Sequence, residues 1–152
     1  MTDSVLGVKV GDTATFKKTV SDADIADFAH ATGDKQPLHL SDVHAAKTRF
    51  KRRIAHGMLS AGLISAALGT KLAPHATVIY LSQSLRFLRP VYPGDTITAQ
   101  LEVTKIDTER SFVTCSTECV NQDGTSVLTG EATVMLDPLE RAPGARPASG
   151  RP

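Results

Sequence analysis

Apolar positions change their period near residue 76. Before it, they fall mostly at helical spacings. After it, β-branched and aromatic runs alternate with turn residues. Thr13–Thr19 is rich in strand formers and predicts a first strand. Ser21 and Asp22 read as helix caps, and Asp24, Ile25, Phe28 and Ala29 predict a short amphipathic helix that Gly33 ends. Ser41–Ala46 opens a further helical turn. His56–Leu72 is apolar nearly all round and carries Gly57, Gly62 and Gly69, so it predicts a buried helix, with Pro74 just beyond its end.

The runs Val78–Leu81, Ser84–Leu88, Thr96–Val103, Ser111–Cys115 and Ser126–Met135 then read as strands. Pro90, Pro93–Asp95, Asp107–Arg110 and Asn121–Gly124 supply the turns between them. One strand, helical pieces, one buried helix and four or five antiparallel strands make an α+β layout, a curved sheet wrapped on one central helix. Residues 1–137 form one domain on this reading. Residues 138–152, rich in Pro, Gly, Ala and Arg without periodicity, are expected to be disordered.

A formal net charge of +1 on 152 residues gives no reason to expect a nucleic-acid footprint. No apolar run nears the ~20 residues of a membrane span. The N-terminus lacks the basic start and apolar core of a signal peptide, so a cytoplasmic protein is expected. Cys115 and Cys119 lie four apart in a predicted strand, roughly 13 Å along it, too far for a disulfide. They are expected to be reduced thiols.

The candidate chemistry lies in Gly33-Asp34-Lys35-Gln36-Pro37-Leu38-His39, followed seventeen residues after that histidine by His56-Gly57-Met58. Pro37 removes a backbone donor and biases Gln36 from helical angles, so Asp34 and His39 are expected on an extended or turn-like loop. A carboxylate and an imidazole aimed at one volume suit proton transfer near neutral pH. Taken singly, Asp34 also fits a turn carboxylate, and His39 a satisfied surface side chain. Gly57 would place a free N–H at the start of the buried helix, where the dipole favours negative charge. His56 reads as a cap or a lining residue. Ser60, one turn on, reads as a site contact or a serine bonded to its own helix.

These two blocks resemble the MaoC-like (R)-specific enoyl-CoA hydratases. Their signature runs Gly-Asp-x-Asn-Pro-hydrophobic-His, with a small residue six positions on, here Ala45. The second block resembles the start of their central helix, and the likeness spans roughly residues 8 to 136. The family's Asn is Gln36 here. The resemblance implies a hot-dog fold, a homodimer joined sheet edge to sheet edge, and hydration of a trans-2-enoyl thioester carried on coenzyme A or acyl carrier protein. It implies Asp34, His39 and Gly57 as catalytic residues, with Gln36, His56 and Ser60 against the substrate. For the carrier phosphates Lys51-Arg52-Arg53, Arg86 and Arg89 are candidates; Arg53 and Arg86 are the two chosen. The alternatives are a hot-dog thioesterase or a non-catalytic acyl-thioester binding subunit. No Gly-rich phosphate loop, dinucleotide fingerprint or nucleophile elbow appears, so no cofactor is expected. A metal held by Asp34, His39 and His44 is disfavoured by Pro37 and by the resemblance.

Overall fold

The computed structural model describes residues 3–139. A hairpin of β1 (Ser4–Val5) and β2 (Val8–Lys9) precedes β3 (Thr13–Thr19), α1 (Asp22–Thr32), α2 (Pro37–Leu40), α3 (Asp42–Ala45) and α4 (Gly57–Ala67). A π-helical turn (Leu68–Leu72) continues α4. Then come β4 (Ala76–Phe87), β5 (Thr96–Asp107), β6 (Phe112–Val120) and β7 (Ser126–Pro138). The main sheet is antiparallel, with strand order β3-β5-β6-β7-β4. It wraps α4, which packs against β3, β4, β5 and β6. This is the α+β hot-dog architecture.

Strand alternation builds the core. Ile97, Ala99, Leu101 and Val103 of β5, with Val113, Cys115 and Cys119 of β6, are buried in one cluster with Leu59, Ile64, Ala67 and Leu68. Gln100 and Glu102, between them, are exposed. Each fully buried Ile or Leu contributes about 1.5–3 kcal/mol. The α4 helix reads as apolar on every side because a curved sheet covers most of its circumference. Met58, 55% exposed, lies where that cover is missing. Both cysteines are free and buried; burial pushes their thiols up, Cys115 to about 11 and Cys119 to about 12, which leaves them protonated and unreactive near neutral pH.

Four expectations need correction. The two predicted strands at 78–81 and 84–88 are one strand, β4, with Leu81 inserted as a bulge between Tyr80 and Ser82. The predicted helix from His56 is α-helical only over Gly57–Ala67, with His56 as its cap. The strands after residue 95 run longer than their apolar cores, because polar residues continue the ladder. The fourth lies in the loop: Pro37–Leu40 is a helical turn with Pro37 in its first positions, where a missing N–H costs nothing. Pro138 closes β7 opposite Ala76. Residues 140–152, the rest of the expected disordered tail, lie outside the described residues. Among the described residues no helix is long and apolar enough to cross a membrane.

Candidate active site

Local sequence delivers Asp34 to the site. Ser21 and Asp24 cap α1 reciprocally, and Gly33 ends it at φ 83°, donating its N–H to the Ala29 carbonyl at 2.9 Å. The Asp34 N–H donates to Thr32 Oγ1 at 3.2 Å, and the Gln36 N–H donates to Asp34 Oδ1 at 3.3 Å. Gln36 is extended at φ −56°, ψ 131°, as a residue before proline should be. The following turn then swings His39 inward.

His39 is buried, and its Nδ1 lies 2.7 Å from the Ile54 carbonyl. A carbonyl only accepts, so Nδ1 carries a proton, and in the neutral ring the lone pair is on Nε2. His56 is also buried, and its Nε2 donates to the Asp34 main-chain carbonyl at 2.9 Å. The two imidazoles stack with centroids 3.9 Å apart and planes at 26°, and Phe28 packs on His56 at 4.7 Å. Ligand-type atoms of Asp34, His39 and His56 lie within 4.8 Å of one another. They line a cavity of about 440 Å³ with Phe28, Thr32, Gly57 and Met58.

Gly57 is the first residue of α4, so its N–H lies at the positive end of the helix dipole, where no intrahelical partner exists. A Cβ built there would meet the Phe87 ring at 2.7 Å. The missing side chain is what lets Phe87 lie against the helix start. A second cavity of about 440 Å³, mostly apolar, adjoins the first through His56, Gly57 and Met58. Phe50, Phe87, Leu88, Val91 and Leu128 are among its walls.

The other candidates are placed differently. Ser60 is buried and lines the apolar cavity, not the one with Asp34, and its Oγ has no partner among the described residues. Gln36 is exposed, makes no side-chain cap bond and lines neither cavity. Arg53 is held by Asp22 at 2.9 Å and Asp42 at 2.7 Å. The Asp42 bond first, then Asp22, raises its pKa. Its guanidinium ties α1 to α3 through Nη2 and Nε. Arg86 lies exposed on β4 opposite Thr129 and lines neither cavity, although the next residue, Phe87, walls the apolar one. Arg89 does line the apolar cavity, and Arg52 lies over the Tyr92 ring at 3.6 Å.

His44 is exposed on α3 and is not part of the cluster; His56 takes its place. Two histidines and a carboxylate are a possible metal set. His39 Nδ1 and His56 Nε2 are, however, each committed to a main-chain carbonyl, which leaves one nitrogen per ring. Sequence reasoning did not find the His39–His56 stack, because residues seventeen apart on different elements carry no local signal.

The fold and this site define an acid–base hot-dog domain. The chain belongs to the MaoC-like domain family, which matches residues 7–122. It is 50% identical to an (R)-specific enoyl-CoA hydratase of Rhodospirillum rubrum over 85% of this chain and 88% of that protein. It is 44% identical to a 3-hydroxybutyryl-CoA dehydratase of Methylorubrum extorquens, over 89% of this chain and 85% of that protein. Among solved structures it resembles the (R)-hydratase of Aeromonas caviae, described as involved in PHA biosynthesis. The TM-score is 0.81 at 43% identity, covering 86% of this chain and 98% of that one.

Proposed function

We propose that the chain is an (R)-specific enoyl-CoA hydratase, a hydro-lyase that reversibly adds water to a trans-2-enoyl thioester to give the (R)-3-hydroxyacyl thioester. The observation that carries the reading is the meeting of Asp34, His39 and the free N–H end of α4 at one cavity. The relatives' activities supply the substrate class and its hand.

In this reading Asp34 and His39 hold one water. Its oxygen bonds to the β-carbon as His39 Nε2 takes a proton. The electron pair of the C=C bond moves towards the thioester, whose oxygen is stabilised by the Gly57 N–H. One such donor is worth roughly 3–4 kcal/mol in the transition state. The Asp34–His39 pair then returns a proton to the α-carbon, so that one water is added in all. The apolar cavity behind Phe87 and Leu128 takes the acyl chain. Among the candidates for the carrier phosphates, Arg89, which lines the apolar cavity, is favoured over Arg53 and Arg86.

The protein acts as a homodimer in this reading. β4 is an edge strand, and Leu81 at 44% and Phe87 at 52% exposed give it apolar character. The opposite edge, β3, carries exposed Lys17 and Lys18, which guard it against pairing. Such a dimer suits a cytoplasmic enzyme.

The test is crotonyl-CoA with purified protein, followed by loss of the enoyl-thioester absorbance. An (R)-specific dehydrogenase added to the product gives its hand. Hydration to the (R)-alcohol is expected. Release of free thiol would instead make it a thioesterase, and binding without turnover a non-catalytic subunit. Running the assay on coenzyme A and acyl-carrier-protein substrates decides the carrier, for which coenzyme A is expected.

A further inference from the structure

We infer that His56, which lines both cavities, is also a positioning residue: it fixes the Asp34 main chain to the start of α4. The inference rests on the hydratase reading. Asp34 is held by three hydrogen bonds. Two are local, to Thr32 Oγ1 and from the Gln36 N–H, and would travel with the loop. Among the described residues, only the bond from His56 Nε2 to the Asp34 carbonyl reaches another element, twenty-two residues away.

His39 is referenced to the same segment through its 2.7 Å bond with the Ile54 carbonyl. The stretch Ile54–Gly57 therefore sets the places of the carboxylate, the imidazole and the Gly57 N–H together. His56 is 2% exposed, wedged between His39 and Phe28, and its Nδ1 has no partner among the described residues. With Nε2 donating, a lone pair on Nδ1 leaves no buried N–H unsatisfied. One side chain thus serves as a clamp on Asp34 and as a flat wall behind His39.

The two roles separate by substitution. His56→Gln keeps a donor at the reach of Nε2 and loses the flat ring. His56→Phe keeps the ring and loses the donor. A misplacement of 1 Å can cost about 100-fold. The clamp therefore predicts that His56→Phe lowers kcat by at least about 30-fold with KM within about threefold, and that His56→Gln recovers most of it. His56→Asn, too short to reach the carbonyl, should fall with His56→Phe; it stands in if the phenylalanine variant does not fold. Amide exchange of residues 34–36 should rise in the Phe and Asn variants and not in the Gln variant, whether or not turnover is measured. A purely structural role would lower melting temperatures and leave kcat per folded molecule alone. Wild-type kcat in His56→Phe, or an equal fall in His56→Gln, overturns the inference. So does unchanged exchange at residues 34–36. A wild-type protein that does not hydrate crotonyl-CoA would refute the hydratase reading instead, and exchange would still test the clamp.

Discussion

Asp34 and His39 reach one cavity from different environments. Asp34 is exposed on the turn after α1, whereas His39 is buried with Nδ1 committed to the Ile54 carbonyl. The carboxylate can hold water, and the imidazole lone pair can accept its proton. Two groups on one water act as a unit, so their losses should not add. Asp34→Asn and His39→Gln are each expected to lower turnover by about 1,000-fold or more, with the double variant scarcely worse. Hydration near the wild-type rate by either single variant would remove the assignment. Gly57→Ala tests the third group. The added methyl displaces the half-exposed Phe87 ring and crowds the N–H, while the better helix propensity of Ala, about 1 kcal/mol, offsets part of the strain. Turnover should fall about 10- to 100-fold with a small change in melting temperature; an unchanged turnover would take the oxyanion role from Gly57. The meeting of Asp34, His39 and Gly57 at one cavity follows two blocks of sequence that resemble the family's, whereas spacing alone also fitted a plain turn carboxylate. The Arg53 ion pairs were not legible: Asp22 and Asp42 lie 31 and 11 residues away, and no pattern along the chain joins them.

Among the elements, α4 and the long strands carry the fold; the strands were legible from their alternation and α4 from its unbroken apolar run. The misread places are those where one residue breaks the period. Leu81 puts an extra residue into β4, which shifts the inward set and makes one strand read as two. Pro37 bars a helix only from its interior; at the first positions of a turn it is compatible with one, and the pattern along the chain does not mark where the turn starts. The β4–β7 pairing has its own requirement at Gly130. A Cβ there would overlap the Ser84 carbonyl oxygen, a backbone atom that cannot rotate away. Gly130→Ala should therefore push β4 off the sheet and cost at least about 3 kcal/mol, seen as a lower denaturation midpoint. A midpoint unchanged from wild type would mean that the strands separate freely at this point. Because Phe87 lies at the far end of β4 and packs on Gly57, loss of pairing here should also disturb the helix start.

At the scale of the whole molecule, the chain leaves one sheet edge unguarded. Among the described residues β4 pairs on one side only, with β7, and its free edge exposes Tyr80, Leu81 and Phe87; Leu88 and Met58 are exposed besides. Unpartnered edges of this kind invite a second strand, and natural sheets blunt them with charge where association is unwanted. β3 is blunted in that way, and β4, apart from Arg86, is not. Both cavities share Met58, and Phe87 walls one of them, so a partner seated along β4 would close the site as well as the edge. Association and turnover should then be coupled. Leu81→Arg places a charge at the bulge in the middle of the edge, well away from Asp34 and His39 in sequence and lining neither cavity. On the homodimer reading it should give a folded monomer, about half the mass of the wild-type assembly by sedimentation, and lower hydration at least about tenfold. A wild-type monomer of 16.1 kDa, fully active at assay concentration, would refute the coupling. A monomeric Leu81→Arg variant with wild-type turnover would refute it equally, and would leave the β4 edge with no part in the chemistry.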